Sequence, residues 1–131
     1  AGTGSGELFF KLSMPFIYSD DFYQRNWGWL KEREAIFEKI LTKEYFASLD
    51  RLSRSSKDFD ILDQLHAITT PTLLIAGTRD IITPLYEMKK IQEQIPNSRM
   101  IIIEDAGHAS FYEKMDEFAT AVLGFVALHR E

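Results

Sequence analysis

The sequence predicts an α/β chain: a helical first half, then a strand, helix, strand, helix unit whose two strands run parallel. Three observations carry the prediction. Apolar residues recur near helical spacing from Asp20 to about Leu41. The character changes at Thr70-Pro71, where the short apolar run Thr72-Leu-Leu-Ile-Ala76 begins. A second such run, Arg99-Met-Ile-Ile-Ile103, follows after one helix-sized segment.

Composition removes several function classes. With 131 residues, 45% hydrophobic and 27% charged, the chain has the make-up of a globular domain. Its formal net charge of -5, spread without a basic stripe, argues against a nucleic-acid partner. No apolar run approaches the roughly 18 residues that a membrane span needs, and the N-terminus lacks the basic start and apolar stretch of a signal peptide, so no membrane partner is expected. Cysteine is absent, which excludes disulfides, thiolate metal sites and cysteine nucleophiles and fits a cytoplasmic setting. The 3 histidines, His66, His108 and His129, have no ligand spacing, so no metal is expected.

Residues 1–6, Ala-Gly-Thr-Gly-Ser-Gly, carry no side chain that anchors a core and read as a linker or remnant. A phosphate loop is excluded, since no strand precedes the segment and no Gly-Lys-Ser/Thr follows. The Gly-x-Ser-x-Gly spacing fails as well, because Thr3 and Glu7 flank Ser5 at the required positions.

From Asp20 to about Leu41, Phe22, Trp29, Leu30, Ile36, Phe37 and Ile40 alternate with charged residues as on an amphipathic helix. Thr42 then caps a second helix carrying Tyr45, Phe46, Leu49 and Leu52, and Asp58 or Asp60 starts a short third one. Thr72–Ala76, ended by Gly77, suits a strand buried on both faces of a parallel sheet. Thr83-Pro84 supplies an N-cap and first-turn proline for a helix that Pro96-Asn97 stops. Arg99–Ile103 reads as a second buried strand, and two strands joined by a helix make a βαβ crossover. A final helix presents Met115, Phe118, Ala119, Val122, Phe125 and Val126 on one face.

In open parallel sheets, ligands bind beyond the carboxyl ends of the strands. Two loops lie there. One is Gly77-Thr-Arg-Asp80-Ile-Ile-Thr-Pro84; the other is Glu104-Asp-Ala-Gly-His108-Ala-Ser110. Adjacent strands are about 4.8 Å apart, so Asp80 and His108 can meet although distant in sequence. A carboxylate so placed fixes the imidazole tautomer and stabilises the imidazolium formed when the ring accepts a proton from a nucleophile. Other readings stand beside this one: Asp80 as a turn or helix-capping residue, and Asp105 or Glu104 as the group that orients His108.

In order and spacing, Ile68-Thr-Thr-Pro71, the strand into Gly77-Thr-Arg-Asp80, Thr83-Pro84, Ile95-Pro-Asn97 and Ala106-Gly-His108 with Phe111 and Glu113 resemble the end of an α/β-hydrolase of the lactonase and esterase type. The resemblance implies the C-terminal part of that fold: residues 7–66 as the helical cap and 67–131 as the end of the core. It implies Asp80 as the catalytic acid and His108 as the base of a Ser-His-Asp triad acting on a small-molecule ester or lactone, with no cofactor. The Gly-x-Ser-x-Gly elbow and the His-Gly oxyanion loop of the family do not occur here, so the serine is missing from this chain and the chain alone is expected to be inactive. Dehalogenases, haloperoxidases, thioesterases and carbon-carbon hydrolases share these loops, which leaves the substrate open.

The cap aromatics, Trp29 among them, and Phe111 after the histidine loop are either pocket wall or core. A second class of function is a binding module that keeps a hydrolase-like end without chemistry. Two strands make a poor sheet, so self-association through the exposed sheet edge is expected.

Overall fold

A computed structural model describes residues 5–130. Residues 1–4 of the expected linker lie outside the described residues, whereas Ser5 and Gly6 open the first helix, α1 (Ser5–Ile17). Phe10, Met14 and Ile17 recur on one face of α1, a helical repeat inside a segment for which the sequence showed no separate helix. Helix α2 (Asp20–Arg25) starts at Ser19, whose hydroxyl accepts the Phe22 N–H at 3.3 Å. Helix α3 (Trp27–Ile40) follows at once. The single helix expected from Asp20 to Leu41 is thus broken at Asn26, whose side-chain amide and N–H both donate to the Phe22 carbonyl, at 3.0 and 2.9 Å. Thr42 caps α4 (Lys43–Ser55) by accepting the Tyr45 N–H at 3.3 Å. Asp60 accepts the Leu62 N–H at 3.0 Å ahead of a 3₁₀ turn over Leu62–Ala67.

The first half has a small core of its own. Phe10, Met14 and Leu30 are buried together where α1 crosses α3, with Leu30 fully shielded, and Ile17, Tyr18, Tyr23, Trp29 and Phe37 pack around them. That cluster is aromatic because α1 and α3 each bring large rings to the same crossing: Phe10 and Phe37 lie 5.1 Å apart, and Tyr18 sits edge-on to Trp29 at 6.1 Å.

Strand β1 (Thr72–Gly77) and strand β2 (Ser98–Ile103) pair in parallel, Thr72 opposite Ser98 through to Gly77 opposite Ile103. Helix α5 (Leu85–Gln94) connects them, and Ile95 is buried where it ends. Here the sequence reading needs correction. Neither strand is buried on both faces: Leu73, Leu74 and Ile75 are half-buried, and Ile101 and Ile102 keep 38% and 41% of their surface. The sheet has only these two strands among the described residues, so each strand has one edge without a strand partner, and α5 and α7 cover its faces only in part. The final helix is also two, α6 (Ser110–Glu113) and α7 (Met115–Leu128), parted at Lys114. On α7 the inward face is Phe118, Ala121, Val122 and Phe125, while Met115, Ala119 and Val126 are exposed. No described helix is long and apolar enough to cross a membrane.

Candidate active site

Both strands end at the same edge of the molecule, and the loops beyond Gly77 and Ile103 are fused there. The Thr78 N–H donates to the Ile103 carbonyl at 3.1 Å, the Arg79 N–H to the Ala106 carbonyl at 2.9 Å, and the Asp105 N–H to the Thr78 hydroxyl at 2.9 Å. Gly77 allows this approach, since a methyl group on it would lie 2.2 Å from the Ala106 carbonyl oxygen. Asp105 takes a left-handed backbone conformation, φ 56°, that turns the chain back toward the first loop.

This fusion brings Asp80 and His108 together, with His108 Nδ1 3.0 Å from Asp80 Oδ2. Asp80 is 8% exposed and fully engaged: Oδ1 accepts the Ile82 and Thr83 N–H groups, each at 2.9 Å, and Oδ2 accepts the Thr83 hydroxyl at 2.6 Å. Burial pushes the Asp80 carboxyl up, but the Thr83 hydroxyl and N–H, His108 and the Ile82 N–H together hold it below the ordinary aspartate range. Asp80 is therefore an anion with a fixed orientation. It shapes its own turn and also faces the imidazole.

His108 Nδ1 is also 3.3 Å from the Thr83 hydroxyl. Because that hydroxyl donates to Asp80, the consistent assignment has Nδ1–H donating toward Asp80 and Thr83, which leaves Nε2 with its lone pair. Nε2 makes no hydrogen bond among the described residues, and the ring keeps 41% of its side-chain surface. The arrangement can take up a proton at Nε2 while Asp80 stabilises the resulting charge.

Asp105 does not orient His108; its carboxylate accepts from Arg79 Nε at 2.9 Å. His66 and His129 lie apart from this pair, bonded to the carbonyls of Asp63 and Phe125 at 2.7 and 2.8 Å. Trp29 and Phe111 line a cavity of about 380 Å³ that also reaches Ala109 beside His108. A larger cavity, about 720 Å³, lies between the strands and α7 against Leu73, Ile101 and Phe125. Neither space is lined by Asp80 or His108 themselves; the smaller one comes nearer to the pair, through Ala109, the residue after His108.

Sequence reasoning assigned no role to Thr83 beyond a helix cap, and the helix in fact starts at Leu85 with Pro84 as the cap. Glu113 was part of the motif but without a function. Its Oε1 accepts the Ser19 and Gly107 N–H groups, both at 3.0 Å, and its Oε2 accepts the Ser19 hydroxyl. One carboxylate thus ties the α1–α2 junction to the residue before His108. A carboxylate following an Ala-Gly-His loop is the only signal the sequence offers. The join is tight, because a methyl group on Gly107 would come 2.6 Å from the Ser19 nitrogen. Arg79 adds a second tie, at 2.7 Å to Asp20, and the Ala109 N–H donates to the Ile17 carbonyl at 3.0 Å.

A helical layer is thus clamped over two loops that present Asp80 and His108 beyond parallel strands. The alpha/beta hydrolase fold family matches residues 13–115, and the chain belongs to that family. It is 39% identical over 74 residues to a proline iminopeptidase of Lactobacillus helveticus, which covers 56% of this chain and 25% of that protein. It resembles the solved structure of MGS-M2, an alpha/beta hydrolase enzyme from a Medee basin deep-sea metagenome library, at TM-score 0.88 and 33% identity over 98% of this chain and 47% of that one. The enol-lactonase from Burkholderia xenovorans LB400 is similar at TM-score 0.79 and 20% identity, over 95% of this chain and 46% of that one, a likeness of fold alone. The chain spans a quarter of the iminopeptidase and about half of each solved structure.

Proposed function

We propose that this chain carries the acid and base of a hydrolase that cleaves small carboxylic esters or lactones, with Asp80 as the acid, His108 as the base and a serine supplied by residues outside the 131. The observation that supports it is the 3.0 Å contact between His108 Nδ1 and a buried, hydrogen-bonded Asp80, with Nε2 left unbonded. In this reading Nε2 takes the serine proton as the hydroxyl oxygen attacks the carbonyl, Asp80 stabilises the imidazolium, and the proton passes to the departing alkoxide. Water then repeats the sequence on the acyl-enzyme. Trp29 and Phe111 contribute to the wall that receives the substrate. We place the reaction in the cytoplasm, a setting the absence of cysteine fits.

We also propose that the isolated chain self-associates through the sheet edge, because β1 has no strand on its outer side among the described residues and its Leu73, Leu74 and Ile75 are only half-buried.

The test compares ester and lactone hydrolysis by a longer protein containing this chain with that of its His108→Ala variant. The expected result is hydrolysis reduced by roughly four orders of magnitude or more in the variant. Hydrolysis by the 131-residue chain alone, lost in His108→Ala, would contradict the assignment of the nucleophile to residues outside it. A longer protein that cleaves none of these substrates would favour a binding module.

A further inference from the structure

The cavity that reaches Ala109, the residue after His108, is not uniformly apolar. Its walls are Phe10, Met14, Trp29, Phe111 and Tyr112, but α3 also brings Arg33 to it. The guanidinium carbon lies 4.8 Å from the centre of the Trp29 ring, so the cation rests on an aromatic face that itself lines the space. Arg33, in common with other cationic side chains such as Lys31, Arg51 and Arg99, has no carboxylate within ion-pair distance among the described residues, and of these it alone lines this cavity.

Two acidic groups of this region are engaged elsewhere: Glu113 with Ser19 and Gly107, and Glu34 with Lys11. Burial pushes the Tyr18 phenol up, with Tyr112 and Glu113 adding to the rise and Arg33 opposing it, so Tyr18 stays uncharged near neutral pH while feeling the guanidinium. A partly exposed cation resting on an aromatic face, with N–H donors that bond no protein group among the described residues and an apolar space in front of it, is a site for an anion attached to an apolar body.

Resting on the hydrolase reading above, we infer that Arg33 is a specificity-determining residue that selects esters or lactones bearing a second, free carboxylate on an aryl or unsaturated apolar portion. The apolar portion fills the aromatic cavity, the carboxylate meets Arg33, and the reacting carbonyl is left toward Ala109 and His108. At about 380 Å³ the cavity lies at the small end of ligand pockets, which suits a substrate with a single ring or a short chain.

Binding separates this inference from catalysis. Titration of the 131-residue chain with 4-phenylbutyrate and with 4-phenylbutan-1-ol, followed by tryptophan fluorescence and calorimetry, should give about tenfold tighter binding of the acid, the scale of one charge-assisted contact discounted for exposure. Arg33→Gln should bring the two ligands level, and Arg33→Lys should keep part of the preference; circular dichroism checks that both variants fold. Equal binding of acid and alcohol by the unaltered chain, no binding of either, or an unchanged preference in Arg33→Gln overturns the inference. In a longer, active protein, the ratio of kcat/KM for a carboxylate-bearing ester to that for its neutral isostere should fall about tenfold in Arg33→Gln, chiefly through KM. Acid preference without hydrolysis would sink the catalytic reading and leave Arg33 as an anion-binding residue. Hydrolysis without acid preference would do the reverse.

Discussion

Replacing Glu113 with alanine should destabilise the chain more than any other single change at its half-buried surface. Three donors end on this carboxylate: the N–H and hydroxyl of Ser19 and the N–H of Gly107. Ser19 keeps only 4% of its surface and Gly107 is buried, so water cannot readily replace the lost acceptor. A hydrogen bond to a charged group contributes about 1.5–3 kcal/mol, and each donor stranded away from water costs about 1–3 kcal/mol. These terms overlap at one site, and the expected loss is about 3–5 kcal/mol rather than their sum. Glu113→Gln, which keeps one acceptor oxygen but turns an amide toward a donor, should lose about half as much. Urea unfolding followed by circular dichroism reads both, with the slope unchanged if only the native state is weakened. A loss below about 0.5 kcal/mol for Glu113→Ala, the range of ordinary surface changes, would refute the claim that this residue clamps the helical layer to the histidine loop.

Three further outcomes follow from the same geometry. Because hydrogen bonds hold the folded Asp80 carboxyl below its unfolded value, it contributes stability that is complete above about pH 4 and is lost as pH falls through the lower folded value; urea midpoints measured from pH 6 downward should fall in that acid range, and Asp80→Asn should fall less. Gly77→Ala places a methyl group 2.2 Å from one backbone carbonyl oxygen and 2.7 Å from the next, so thermal melting should show a loss of about 1–3 kcal/mol or more, whereas a neutral result would mean that the two loops are not fused as described. Light scattering of the 131-residue chain should show mass rising with concentration, and a strict monomer at all concentrations would count against association through the β1 edge.

The position of the chemistry was more legible than its support. Parallel strands give loops on one edge, and a carboxylate in one loop with a histidine in the other follows from pattern alone; these two side chains do meet, at 3.0 Å. What pattern cannot show is which short side chain turns inward. Thr83 looked like a helix cap, but the helix begins one residue later, after Pro84, and the Thr83 hydroxyl instead donates to the charged carboxylate of Asp80. Asn26 breaks a continuous apolar periodicity through local bonds to Phe22 that periodicity does not register. The strands misled in the other direction. Runs such as Leu73–Ile75 and Met100–Ile103 carry the composition of strands covered on both faces, and with two strands and only two helices against them much of that apolar surface stays open. Composition reports the environment a strand is suited to, and the neighbours decide how much of it is filled.

The central claim, that Asp80 and His108 act as one unit, is tested most directly by a double-mutant cycle on kcat/KM in a longer protein that contains this chain. Asp80→Asn and His108→Ala should each lower it by several orders of magnitude, and the double variant should be no worse than His108→Ala alone, because an acid without its base has nothing left to orient. Effects that multiply, or an Asp80→Asn variant that retains most of its activity, would show that the pair seen at the strand ends is not the pair that drives the reaction.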